Sequence, residues 1–212
     1  LFATCNTFDI DDLKSFRRLN SVCPGHPEYN LNQKIECTTG PLGQGLAVSV
    51  GMAMAGKYYN YYFSNKKVNL FDYNVYTLVS DGDLMEGVSY EAASLAGALK
   101  LNKLIVLYDS NKICLDGETS LTFTDNVSMR FISLGWNVIT VSDGENFEAI
   151  NKAIEEAKNS ADRPTLIEIN TTIGKHSALE GTNAVHGSPL TKEDISSIKE
   201  KLGLRDIPFT VS

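Results

Sequence analysis

Val75-Tyr76-Thr77-Leu78-Val79 is a short β-branched and apolar run that breaks into the turn Ser80-Asp81-Gly82-Asp83. An Ala-rich stretch through Lys100 follows, and the strand signal returns over residues 104–108. β-Branched and aromatic residues suit a pleated surface, whereas Ala favours a helix. The order strand, turn, helix, strand is that of a parallel crossover unit.

Working outward, the pattern repeats. Residues 137–141 and 165–169 read as two further strands, with residues 146–159 helical between them. Upstream, Leu46, Val50, Ala53, Met54 and Tyr58 recur at helical spacing and predict a long buried helix from Gln44 to about Phe63. Continuous apolar strands alternating with helices need a sheet covered on both sides. The expected fold class is therefore α/β, a doubly wound, mainly parallel sheet with helices on both faces. No internal repeat or composition shift marks a boundary, so 1–212 reads as one domain. The segments 110–125 and 171–189 are longer than ordinary connections and follow strands, where α/β proteins place their sites.

Composition narrows the function classes. With 42% hydrophobic and 21% charged residues, the 212-residue chain can bury a sizeable core. A net charge of −7 disfavours a broad nucleic-acid or membrane-surface footprint, because such partners reward clustered Lys and Arg. No apolar run approaches the roughly 18 to 20 residues that span a bilayer. The first residues, Leu1-Phe2-Ala3-Thr4, lack the charged start of a secretory signal. A soluble, cytoplasmic protein is expected, with an organelle as the other possibility. Cys5, Cys23, Cys37 and Cys114 are widely spaced, which points to reduced structural thiols rather than a zinc or redox motif.

Three features could carry chemistry. Thr38-Thr39-Gly40-Pro41-Leu42-Gly43-Gln44-Gly45 is a glycine-rich entry to a helix, able to present backbone N–H groups to an anion or simply to turn the chain. Asp81-Gly82 and Asn111 each follow a strand, and in a right-handed crossover unit those ends lie side by side. A carboxylate and an amide oxygen suit Mg2+, although a helix cap at Asp81 and an Asx turn at Asn111 would use the same residues. Of the three histidines, His26 lies in Gly25-His26-Pro27-Glu28 and His186 in Val185-His186-Gly187-Ser188-Pro189, both turns that could offer hydrogen bonds to polar oxygens. The third, His176, follows Lys175 in the long loop.

Taken in order, these stretches resemble the transketolases. Glu86-Gly87, Ser94-Leu95-Ala96-Gly97 and Tyr108-Asp109-Ser110-Asn111-Lys112-Ile113 join the three above, and the likeness runs from about Asp12 to Leu204. The resemblance implies a fold that binds thiamine diphosphate through Mg2+, or another divalent cation such as Ca2+. It implies that Asp81, Asn111 and the main-chain carbonyl of Ile113 bind the metal. Gly40, Pro41, Leu42, Gly82, Glu86 and His186 would contact the cofactor, and His26 and His186 would face a sugar phosphate. Glu86 would lie near the interface of a homodimer. The implied reaction is transfer of a two-carbon ketol unit from a ketose phosphate to an aldose phosphate in the pentose phosphate pathway, with the carbanion chemistry supplied by the cofactor.

The chain also departs from that pattern. Ser80 precedes Asp81 where the family usually has Gly, Asn183 stands where a His is common, and Lys175-His176 replaces an aromatic or small residue followed by Gly. Two upstream histidines, a pyrimidine-binding domain and a C-terminal domain have no counterpart here. The chain is therefore expected to be a piece lacking its first segment and inactive alone. A split-transketolase subunit, a related ketol transferase such as dihydroxyacetone synthase, and a non-catalytic α/β binding module are the other readings.

Overall fold

The computed structural model describes residues 8–65, 68–205 and 207–209. The elements run α1 (Ile10–Leu13), α2 (Gln44–Phe63), β1 (Val75–Ser80), α3 (Gly87–Ala98), β2 (Leu104–Ser110), β3 (Ile113–Cys114), β4 (Gly117–Glu118), α4 (Val127–Ser133), β5 (Asn137–Val141), α5 (Phe147–Lys158), β6 (Thr165–Asn170) and α6 (Lys192–Lys201). Two compact units are present. One takes in the described residues of Leu1–Pro41 and Leu190–Ser212, and the other is Leu42–Pro189.

The larger unit is built on four parallel strands in the order β1-β2-β6-β5. Alternation within β2 divides the core in two. Leu104, Val106 and Tyr108 face a cluster with Leu46, Val50 and Ala53 of α2, Ala93 and Ala96 of α3, and Phe131 of α4. Ile105 faces the opposite side, where Ile167 and Ile169 of β6 meet Ala153 and Ala157 of α5. Helices thus cover both faces, as a doubly wound α/β fold requires. On β1, Val75, Thr77 and Val79 are buried, while Tyr76 and Leu78 are exposed.

Close contact between α3 and the chain entering β5 depends on Gly97. A Cβ there would lie 1.8 Å from the Leu134 carbonyl oxygen, so any other residue must displace backbone. That approach seats Trp136, whose Nε1–H donates to the Ala93 carbonyl at 2.8 Å and whose ring meets Phe131 edge-on, 5.0 Å between centroids. An indole buried with its N–H satisfied adds packing without an orphaned donor.

Register decides what stands at the sheet edge. Ser80 pairs with Asp109, and Ser110 pairs with Asn170, so β1, β2 and β6 end along one line. The chain beyond β2 forms the short antiparallel hairpin β3–β4 and a 3-10 turn at Thr119–Leu121. Beyond β6, residues 171–189 hold one 3-10 turn, Asn183–Val185. Of the cysteines, Cys23, Cys37 and Cys114 are free, and Cys5 lies outside the described residues. Among the described residues, no helix is long and apolar enough to cross a membrane.

In the smaller unit, Asn30 bridges to Ile35 around the turn Leu31–Gln33. Two bonds hold the histidine turn to the glycine-rich loop: Thr39 N–H donates to Pro27 O at 3.1 Å, and Tyr29 N–H to Thr38 Oγ1 at 3.0 Å. As a result, the His26 ring lies 3.2 Å from where a Cβ of Gly40 would stand.

Candidate cofactor site

Asp81 leaves the end of β1 and is buried, with 3% of its surface exposed. Its carboxylate is held by three donors: the Tyr108 hydroxyl on Oδ1 at 2.7 Å, and the backbone N–H groups of Lys112 and Asn111 on Oδ2 at 2.9 and 3.2 Å. All three are neutral. A buried carboxylate needs charge compensation as well as hydrogen bonds, and two oxygens with about four lone pairs keep room for one more partner. The side chain does not cap the following 3-10 turn, whose N-cap is Gly82.

Asn111 stands in the turn after β2 whose backbone N–H groups hold that carboxylate. Its Oδ1 accepts from Ile113 N–H at 2.9 Å, which is an Asx turn, and the amide oxygen retains a second lone pair. The Asx-turn reading of Asn111 is therefore correct in geometry and compatible with a ligand role. A carboxylate and an amide oxygen brought together at two adjacent strand ends form a hard donor set that fits a divalent cation whose remaining partners are phosphate oxygens and water. Among the described residues no group of three or more His, Cys, Asp or Glu side chains could hold a metal, so a cation here depends on this mixed set.

Burial pushes the Tyr108 phenol above its ordinary range, with the Asp81 carboxylate adding to the effect and a hydrogen bond with Ser110 opposing it. Tyr108 therefore stays a neutral O–H donor at physiological pH. Cys114, beside the cluster, is also raised by burial first and then by Asp81 and Asp116, which keeps it a thiol. Its Sγ rests 3.9 Å from Met85 Sδ.

The remaining candidates fall into three groups. Leu42 and Gly82 meet in the larger unit, where a Cβ on Gly82 would make ordinary contact with Leu42 Cδ1 at 3.4 Å. Glu86 is the exposed N-cap of α3, next to Gly43. His186 comes from the loop after β6, and its Nδ1 is buried with no hydrogen-bond partner among the described residues. His26, Gly40 and Pro41 belong to the smaller unit, with His26 exposed and packed on Gly40. Ile113 is buried at the start of β3.

Sequence reasoning passed over two residues. Tyr108 reads as a strand residue, and only its position two before the end of β2 hints that its hydroxyl reaches the site. Asp83 reads as part of a turn, yet its carboxylate binds back to Ser80 and across to Gly43.

Comparison with known proteins identifies the family. Residues 2–212 match the family model described as transketolase, thiamine diphosphate binding domain. The transketolase of Aquifex aeolicus (strain VF5) is 52% identical over 194 residues, which is 92% of this chain and 28% of that protein. Transketolase 1 of Candida albicans is 48% identical over 204 residues, 95% of this chain and 30% of that protein. The transketolase structure from Leishmania mexicana superimposes with a TM-score of 0.95 at 44% identity, covering 100% of this chain and 32% of that one. The chain thus spans less than a third of the length of these relatives. It belongs to the transketolase family and corresponds to that family's thiamine diphosphate binding domain.

Proposed function

We propose that this chain is the diphosphate-and-metal half of a transketolase active site, in a longer protein that transfers two-carbon ketol units between sugar phosphates. The observation that carries the reading is the buried Asp81 carboxylate at the end of β1, held by three neutral donors, two of them from the Asn111 turn after β2. In this reading Asp81, Asn111 and the Ile113 carbonyl hold Mg2+, or another divalent cation such as Ca2+. Gly40, Pro41, Leu42, Gly82 and Glu86 line the thiamine diphosphate. The orphaned Nδ1 of His186 gives that ring an unspent hydrogen-bonding position for cofactor or sugar, and His26 serves the sugar. Once bound, the cofactor supplies the carbanion stabilisation that C–C cleavage requires. The protein's own residues bind its diphosphate, neutralise it through the cation and fix its direction.

The same reading makes the working enzyme a homodimer with sites at its interface, in the cytoplasm or an organelle, and assigns the pyrimidine-binding and C-terminal parts to the rest of that protein. One titration tests it: Mg2+-dependent thiamine diphosphate binding by the full-length protein, followed by intrinsic fluorescence. Asp81→Ala and Asn111→Ala should each weaken binding by roughly 100-fold. Unchanged affinity in both would leave a non-catalytic module as the better description. Competition between acceptors would separate transketolase from dihydroxyacetone synthase, and purified 1–212 should show no turnover.

A further inference from the structure

Asp83 makes three hydrogen bonds that the metal and diphosphate reading does not use. Its Oδ2 accepts from Ser80 N–H at 2.9 Å and from Ser80 Oγ–H at 3.1 Å, while Oδ1 accepts from Gly43 N–H at 3.0 Å. Gly43 is forty residues earlier in the chain and is the N-cap of α2, with φ +78 in the left-handed region. Having no side chain, it cannot cap its own helix. A Cβ there would come within 2.7 Å of Ser89 Oγ and 2.9 Å of Val88 Cγ1, so the residue is wedged against α3 on one side and tied to Asp83 on the other.

That tie joins two segments forty positions apart in the chain. Leu42, adjacent to Gly43, lies 3.4 Å from where a Cβ of Gly82, adjacent to Asp83, would stand. One carboxylate therefore sets the register of the glycine-rich loop against the strand end that bears Asp81. Ser80, which replaces the usual Gly of the family motif, supplies the third bond through its hydroxyl.

We infer that Asp83 is a positioning residue for the cofactor diphosphate, clamping the Leu42-Gly43 end of the loop over the Asp81-Gly82 strand end. The inference rests on the proposed function, since it presumes that both segments line a diphosphate. Asp83 touches neither cation nor phosphate in this scheme; it aims the groups that do.

The test uses the full-length protein, with thiamine diphosphate titrated at saturating Mg2+ and Mg2+ titrated at fixed thiamine diphosphate. Asp83→Ala should raise the cofactor Kd roughly tenfold, and the loss should persist at saturating Mg2+ because the loop rather than the metal ligands is misplaced. Asp83→Asn keeps one carbonyl oxygen for Gly43 or Ser80 and should recover part of the loss. Asp81→Ala, run beside them, should shift the Mg2+ dependence to much higher Mg2+ and weaken cofactor binding roughly 100-fold. The clamp is overturned if both Asp83 variants bind within about twofold of wild type while Asp81→Ala fails, even where their ligand-free thermal midpoints fall. Wild-type binding by Asp81→Ala as well would overturn the underlying diphosphate reading, a separate failure. Should Asp83→Ala not fold, Asp83→Asn decides by the same comparison.

Discussion

The Tyr108 hydroxyl donates to Asp81 Oδ1 at 2.7 Å, so a residue buried in the sheet reaches the strand edge and aims one oxygen of the candidate metal ligand. Because burial holds the phenol neutral, the bond is a one-way donation to the charged partner. Hydrogen bonds to charged groups contribute about 1.5–3 kcal/mol. Tyr108→Phe should therefore lower unfolding stability by about 2 kcal/mol. It should also weaken Mg2+ binding roughly tenfold, read from the Mg2+ concentration needed for half-maximal cofactor binding.

The divalent cation should be a required anchor for the cofactor at this edge. Treating the cofactor-loaded protein with a chelator and desalting it should release thiamine diphosphate together with the metal. Adding Mg2+ or Ca2+ back with fresh cofactor should restore the spectroscopic binding signal. Retention of cofactor through chelation would place its diphosphate on groups other than Asp81 and Asn111.

Tyr90 offers a test at alkaline pH. Its hydroxyl is buried without a partner among the described residues, and the Arg130 guanidinium lies over its ring, 3.3 Å from the centroid. Burial raises the phenol above its ordinary 10.0, Arg130 works against that rise, and Asp125 adds to it. A group held protonated in the folded state contributes its full share below pH 10 and loses it as pH climbs through the raised value. Tyr90→Phe should fold at least as well as wild type at pH 8, within about 1 kcal/mol, since an orphaned polar atom is removed. Above pH 10 its denaturant midpoint should fall less steeply than that of wild type. Parallel curves would exclude Tyr90 as the titrating group.

Gly97 and Trp136 test the packing of α3 against the chain entering β5. Gly97→Ala drives a methyl into the Leu134 carbonyl, so the cost should reach the upper end of overpacking, about 3 kcal/mol. Trp136→Ala should cost about 3–5 kcal/mol through the cavity it leaves. Urea unfolding measures both. A Gly97→Ala protein as stable as wild type would mean that the 134–136 segment moves aside without penalty.

Where the sequence was readable, long periodicity made it so. The bounds of α2 and β5 coincide with the expectation, and β1, β2, β6 and α5 differ by a residue or two at their ends. Five elements went unread, for different reasons. α4 has seven residues, too few for a helical period to declare itself, and each strand of the β3–β4 hairpin has two. α1 is a single turn. α6 buries no residue and carries only Ile195, Ile198 and Leu202 on its apolar side, though Thr191 caps it by accepting from Asp194 N–H at 3.1 Å.

The candidate site was legible in part, through topology rather than periodicity. Asp81 and Asn111 come together because parallel register aligns strand ends, and that follows from topology alone. The contributions of Asp83 and Tyr108 depend on bonds across 40 and 27 positions of chain, which no local pattern reports.

The three donors on Asp81 also bear on how such a residue can drift. Two of them are the N–H groups of Asn111 and Lys112, so the carboxylate ties together the turn that carries its own partner ligand. Exchange for a small apolar side chain would orphan the buried Tyr108 hydroxyl and two part-buried N–H groups before any question of activity arose. A lineage that had abandoned the chemistry would still meet selection at this position through the folding yield of the polypeptide. Persistence of the aspartate across descendants is thus a poor witness to retained function, and loss of His186, whose ring holds no such turn together, would be the earlier mark of decay.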